Sequence, residues 1–145
     1  MKVVDANVLL YAVNSDAPQH DDSRTWLDAA LSGGDRVGLS WVVLLAFLRL
    51  STRSGLFSSP LTPTEAFDQV GDWTQAPGGE VIHPSPTHVT TLQGLLAPIG
   101  LAGNLVNDAH LAAVAVEHRA EIVSYDNDFS RFPGVRWSTP GALLA

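Results

Sequence analysis

The stretch VNDAHLAAVAVEHRAEIVSYDNDF, residues 106–129, decides the fold class of this chain. Asp108 stands in the first turn of an apolar pattern that has helical spacing. The predicted buried face of that helix consists of Ala112, Ala113, Val116 and Ala120. A short apolar strand follows at residues 121–124, and Asp126 and Asp128 come just after its end. Because α/β sheets place their chemistry outside the carboxyl ends of the strands, these carboxylates are candidates for one site. Each piece alone also fits a helix cap or an Asp-Asn-Asp turn.

Composition limits the classes of protein to which the chain can belong. A length of 145 residues predicts one domain, residues 1–145, with a core of its own. The hydrophobic content of 46% and the charged content of 16% indicate a globular protein without a bilayer-spanning run. Asp5 interrupts the first apolar run, so the amino terminus is not typical of a signal peptide. Since cysteine is absent, we expect neither disulfides nor thiolate metal sites, and a reducing, cytoplasmic location.

The formal net charge of −7 argues against passive nucleic-acid binding by the overall field. An acidic protein can still handle nucleic acid through metal ions held in a carboxylate pocket, with arginines at its rim. The charge therefore restricts the mode of binding without excluding the substrate class.

The amino-terminal sequence MKVVDANVLLYAVN predicts a short buried strand followed by a helix. Asp5 stands where the strand should end, and Asn7 is the predicted helix cap. A carboxylate inside an apolar run needs a partner or solvent, because an unpaired buried charge is costly. Asp5 is therefore either a solvated strand-end residue or cap, or a metal ligand projecting from the first strand.

Further strands and helices alternate along the rest of the chain, which indicates an α/β domain with a mainly parallel sheet. The predicted strands after the first are residues 36–39, 80–83, 121–124 and a short one near residue 137. A loop followed by an amphipathic helix is predicted within 16–34, and further helices at 41–52, 64–73 and 87–96. The helix at 41–52 is apolar nearly all round and is predicted to be mostly buried.

Arg49 and Arg53 are the charges of that helix region, and no Asp or Glu occurs between residues 36 and 64. Two arginines four residues apart can share one helix face. They are either ordinary cations near a helix terminus or groups that balance the aspartates or hold a phosphate backbone.

The aspartates Asp5, Asp108, Asp126 and Asp128 point to metal-assisted phosphate chemistry. Clustered carboxylates repel one another unless a cation compensates them, and ligand sets made of oxygen alone suit Mg²⁺ or Mn²⁺. Such a site can activate water for phosphodiester hydrolysis. The scattered histidines show no zinc spacing, and His110 and His118 are predicted to be structural. The chain also lacks a P-loop, a Gly-x-Ser-x-Gly elbow and a Gly-x-Gly-x-x-Gly motif.

Three segments together resemble the PIN-domain nucleases, specifically the VapC-type toxins of toxin–antitoxin pairs. They are residues 3–9 (VVDANVL), 107–113 (NDAHLAA) and 124–129 (SYDNDF), and residues 131–135 (RFPGV) continue the likeness. Residues 41–52 resemble the subgroup that is expanded in mycobacteria. The resemblance implies a sheet of order 3-2-1-4-5 flanked by helices. It also implies endonucleolytic RNA cleavage with Mg²⁺ or Mn²⁺ on Asp5, Asp108 and Asp126, and with Asp128 as a nearby ligand or water-holder.

One departure from the family pattern leaves alternatives open. Many PIN nucleases carry a Glu on the helix after the second strand, where this chain has Ala46. A catalytically degenerate module that binds RNA or protein is therefore one alternative. A Mg-dependent phosphatase is another, although position 7 is Asn and Lys2 is the only lysine. The resemblance further implies a cognate antitoxin as partner, and we expect a homodimer or a toxin–antitoxin hetero-oligomer without membrane association.

Overall fold

Five short strands form one parallel sheet with the spatial order β3-β2-β1-β4-β5. The structure is a computed structural model that describes residues 1–145. The strands are β1 (Lys2–Val4), β2 (Val37–Ser40), β3 (Gly79–Ile82), β4 (Glu121–Val123) and β5 (Trp137–Ser138). The predicted mainly parallel α/β sheet of order 3-2-1-4-5 is thus confirmed. Since β1 is central, the segments that follow β1 and β4 emerge side by side at one edge.

Seven α-helices accompany the sheet, and the carboxyl-terminal one was not predicted from the sequence. The helices are α1 (Ala6–Val13), α2 (His20–Ala29), α3 (Trp41–Ser51), α4 (Pro63–Gln75), α5 (His88–Leu96), α6 (Val106–Glu117) and α7 (Pro140–Leu144). A π turn occupies Ala30–Gly34, and 3₁₀ segments occupy Ala97–Ile99, Gly103–Leu105 and Asn127–Arg131. Helix α5 packs on α6, and α1 contacts both α2 and α3. No helix combines the length and the apolar character that crossing a bilayer demands.

Local sequence signals explain where several helices begin and end. The Thr62 side chain accepts from the Glu65 backbone N–H, and the Glu65 carboxylate accepts from the Thr62 N–H, so α4 begins with a capping box. Gly33 interrupts the helical geometry inside the π turn with a φ of 113°, a left-handed conformation that glycine adopts without a Cβ penalty.

The core is one connected cluster of 32 buried apolar residues around the central strands. Val3, Val4, Ile122 and Val123 have no exposed surface, as expected for parallel strands that are covered on both faces. Five consecutive residues of α6, Leu111 to Ala115, are also buried, so this helix is packed on more than one side. Val116 was predicted to be inward but is 42% exposed. The buried α6 fixes the position of Asp108 at its amino-terminal end.

Candidate metal centre

Three aspartates from two separate segments meet at the carboxyl-terminal edge of the sheet. One carboxylate oxygen each of Asp108, Asp126 and Asp128 lies within 4.8 Å of the other two, and all three residues are half-buried. Asp108 comes from the first turn of α6, whereas Asp126 and Asp128 follow β4. Asp126 caps the 3₁₀ segment, because its Oδ1 accepts from the Asp128 backbone N–H at 2.8 Å. This turn fixes both residues after the strand relative to each other.

Asp5 lies beside this trio but is not part of the compact set. It is the N-cap of α1, with Oδ1 accepting from the Ala6 N–H at 2.7 Å. The predicted capping role of Asn7 is therefore wrong. A strand-end residue with extended backbone geometry can cap the helix that begins at the next residue, whereas Asn7 already lies inside α1. Asp5 and Asp108 nevertheless line one common cavity.

A buried serine, Ser124, connects the two halves of the site. Its hydroxyl donates to Asp5 Oδ2 at 2.6 Å and accepts from the Asp126 backbone N–H at 2.9 Å. The Asn7 side-chain amide donates to Ser124 Oγ at 3.1 Å and to Asp5 Oδ2 at 3.2 Å. Sequence reasoning missed this role for both residues. The available signal was a polar residue at the end of a buried strand, two positions before Asp126.

Burial, together with the charges of neighbouring carboxylates, raises the pKa of two of the aspartates. Burial, followed by the charges of Asp126, Asp5 and Asp128, raises the pKa of Asp108 to about 6. Burial raises the pKa of Asp5 as well, and the Asp126 charge adds to this, against the hydrogen bonds from Ser124 and the Ala6 N–H. The metal-free site therefore concentrates negative charge that a bound cation would neutralise.

The donor set fits a hard divalent cation. The trio offers only carboxylate oxygens, the ligand type that Mg²⁺ and Mn²⁺ prefer, and it contains no thiolate or imidazole. The histidines have other partners: His88 is hydrogen-bonded to Glu117 and to His110, each at 2.9 Å, and His118 bonds the His83 carbonyl. His110 and His118 thus have hydrogen-bond partners outside the trio, which agrees with the predicted structural role.

A cavity of about 470 Å³ opens directly beside the carboxylates. Ala46 and Arg49 of α3 line it together with Asp5 and Asp108, so position 46 faces the acidic site as the family pattern implies. Arg53 does not line the cavity. Helix α3 ends at Ser51, so Arg53 lies beyond the helix. The prediction that Arg49 and Arg53 share a helix face is therefore wrong.

Comparison with known proteins agrees with this architecture. The sequence profile of the PIN domain matches residues 2–135. The chain belongs to the PIN-domain family. Among relatives of this PIN domain, Ribonuclease VapC37 of Mycobacterium tuberculosis is 59% identical over 144 residues, covering 99% of this chain and 100% of that protein. Ribonuclease VapC31 of the same species is 39% identical over 140 residues, covering 97% and 99% of the two chains.

Solved structures of other proteins share the fold of this PIN domain. The crystal structure of VapBC2 from Rickettsia felis bound to a promoter DNA fragment contains a chain that superposes with a TM-score of 0.70. Its sequence identity is 20%, and the alignment covers 95% of this chain and 97% of that chain. VapC20 of Mycobacterium tuberculosis, described as a toxin that cleaves the sarcin–ricin loop, gives a TM-score of 0.65 at 18% identity, covering 94% and 99%.

Proposed function

We propose that this protein is a metal-dependent endoribonuclease that acts as the toxin of a toxin–antitoxin pair. The carrying observation is the convergence of Asp108, Asp126 and Asp128 within 4.8 Å, next to a cavity that also holds Asp5 and Arg49. The ribonuclease names of two full-length relatives support RNA as the substrate class. We take residues 1–145 as the catalytic unit, because one core connects strands from both ends of the chain.

We assign the metal to Asp5, Asp108 and Asp126, with Asp128 as a further ligand or a holder of water. Oδ2 of Asp5 accepts hydrogen bonds from both Ser124 and Asn7, whereas Oδ1 accepts only from the Ala6 N–H and keeps a second lone pair for a metal. A bound Mg²⁺ or Mn²⁺ would supply water activation and stabilise negative charge on the phosphodiester. Arg49 neutralises a neighbouring phosphate across the cavity, and the Ser124 hydroxyl holds Asp5 and the Asp126 backbone in register.

A cognate antitoxin is the proposed protein partner. Structural neighbours include VapBC2 from Rickettsia felis and VapBC-1 from nontypeable Haemophilus influenzae, the latter with a TM-score of 0.66. The acidic cavity favours an antitoxin segment that carries Arg or Lys, because such a side chain can pair with the carboxylates. We place this pair in the cytoplasm, where RNA is available to the toxin.

The test is RNA cleavage as a function of added Mg²⁺ or Mn²⁺, for the natural chain and for Asp5→Asn. We expect cleavage to require the cation and to be lost in Asp5→Asn, because a metal ligand is neutralised. Asp68→Asn, an exposed residue of α4, is the matched control and should cleave normally. Cleavage that persists in Asp5→Asn and in the presence of a chelator would refute the assignment.

Ala46 favours one alternative, a degenerate module that binds RNA or protein without cutting it. Because Ala46 lines the cavity, Ala46→Glu adds an anionic oxygen beside Asp5 and Asp108. We expect tighter metal binding and cleavage that rises several-fold, whereas the uncharged Ala46→Gln should not tighten metal binding. If the natural chain binds RNA but never cuts it with either cation, the degenerate alternative is correct.

A further inference from the structure

We propose that the outer face of α3 forms a binding wall for an unpaired RNA base next to the cleaved phosphodiester. The wall consists of Val42, Leu45 and Ala46 inside the cavity, with Trp41 at its outer end. This inference rests on the proposed ribonuclease function and specifies how that site holds its substrate.

The first observation is that α3 is buried on one side only, contrary to the sequence-based expectation. Val43, Leu44 and Phe47 are almost completely buried, whereas Leu45 is 58% exposed and Trp41 is 46% exposed. Trp41 and Leu45 are four residues apart and are therefore neighbours on the same helix face. An apolar side chain and an indole ring together at the surface indicate a contact face for a ligand.

The second observation is that this face is continuous with the acidic site. Val42, Leu45 and Ala46 line the same cavity of about 470 Å³ as Asp5 and Asp108. That volume lies within the range of pockets that hold small organic ligands, so it can take one nucleotide. The small, apolar side chain of Ala46 belongs to this wall. A base on the wall therefore places its own phosphate near the carboxylates.

The third observation is the charge distribution along α3, which favours RNA over an uncharged apolar partner. Arg49 lines the cavity and lies one helical turn beyond Leu45, so a cation follows the apolar wall at about the spacing of base and phosphate. The helix carries no carboxylate that would repel a polyanion. Unpaired bases bind to apolar and aromatic surfaces through their faces, and double-stranded RNA hides those faces.

The experiment measures the binding of a fluorescein-labelled single-stranded RNA of roughly a dozen nucleotides, and of the same strand in a duplex. Asp108→Asn serves as the background, so that the strand is not cut. We expect Trp41→Ala and Leu45→Ser to bind single-stranded RNA about tenfold more weakly, with duplex binding unchanged. Trp41→Phe, which keeps an aromatic face, should restore most of the affinity. Phe67→Ala removes another exposed ring, 61% accessible, from α4 and should have no effect.

A second measurement identifies the base. Single abasic positions are introduced one at a time along the strand. Removing the base that contacts the wall should weaken binding to the background protein, but should cause no further loss in Trp41→Ala or Leu45→Ser, because the contact is already gone in those variants. Equal binding of single-stranded RNA by all variants, with unchanged thermal midpoints, would overturn the proposal. If the same variants no longer bound a protein partner, the α3 face would be a protein-binding surface instead, and the proposal would still be overturned. Failure of the ribonuclease function is a separate result: the natural chain would then neither cut nor bind RNA in the presence of either cation.

Discussion

Asp108 is the residue at which the electrostatics of the site can be measured directly. Its pKa of about 6 in the folded, metal-free protein compares with 3.8 for an unperturbed group. The folded state therefore holds a proton between these two pH values that the unfolded chain has released. The raised pKa of Asp108 therefore stabilises the folded state fully below about pH 3.8, and this contribution is lost as pH rises through 6. At neutral pH the charged Asp108 destabilises the metal-free fold.

We therefore expect Asp108→Asn to stabilise the metal-free protein at neutral pH. Because Asp108 is half-exposed and screened by solvent, the expected rise in Tm is only roughly 3 °C. The gain should disappear at a pH below 3.8, where Asp108 is protonated in both states. Thermal unfolding with a chelator at both pH values provides the measurement, with Asp68→Asn as the control. A gain of equal size at both pH values would contradict the charge-based explanation.

Ser124 is expected to contribute both stability and geometry. Ser124→Ala removes the donor to Asp5 and the acceptor of the Asp126 N–H in a fully buried position. The free energy of unfolding should fall by about 1–3 kcal/mol, because buried polar groups lose their partner. RNA cleavage should also fall at saturating metal. Urea unfolding and initial cleavage rates measure the two effects. Ser130→Ala, an exposed serine that bonds only the Asn127 carbonyl, should be nearly neutral in both assays.

At the scale of elements, α3 lines one side of the cavity and carries Arg49, the only basic residue in the lining. We expect Arg49→Gln to weaken RNA binding and to reduce the slope of log K against log salt by about one, because one phosphate contact is lost. Arg53→Gln is the matched control, since Arg53 lies past the end of the helix and outside the cavity. Binding titrations at several salt concentrations distinguish the two arginines. Identical slopes for both variants would place the phosphate contact elsewhere.

The elements also show what can be predicted from a sequence of this kind. The meeting of Asp108 with Asp126 was predictable, because parallel strands expose their carboxyl ends at one edge, whereas the strand order followed only from the resemblance to PIN-domain nucleases. Side-chain hydrogen bonds such as that of Ser124 depend on distances between strands that no local pattern encodes. The exposed Leu45 was missed for a similar reason: an all-apolar helix predicts burial but not which face the tertiary structure leaves open. Helix α7 is too short to produce a periodic signal.

At the scale of the whole molecule, the charge of −7 makes a basic partner favourable. We expect the chain to inhibit growth when it is expressed alone, because the nuclease site is then uncovered. Expression together with the small protein encoded beside it should restore growth and yield a complex of the two chains. Colony counts and sizing of the purified material are the measurements.

The same expression experiment needs a control that separates toxicity from folding stress. Asp5→Asn should be harmless alone yet still co-purify with the neighbouring protein. Normal growth with the natural chain, together with a monomer that does not co-purify with the neighbouring protein, would contradict the proposal of an antitoxin partner.

The central position of β1 has a consequence for synthesis on the ribosome. Residues 2–4 precede their partner strand β4 by more than a hundred positions, as the pairing of Lys2 with Glu121 shows. Asp126 and Asp128 are translated later still. A growing polypeptide therefore carries no assembled catalytic edge until residues 121–128 have emerged, and such long-range pairing forms slowly. We therefore expect a translation product that ends before residue 121 to be unable to cleave RNA, because it lacks β4, Asp126 and Asp128.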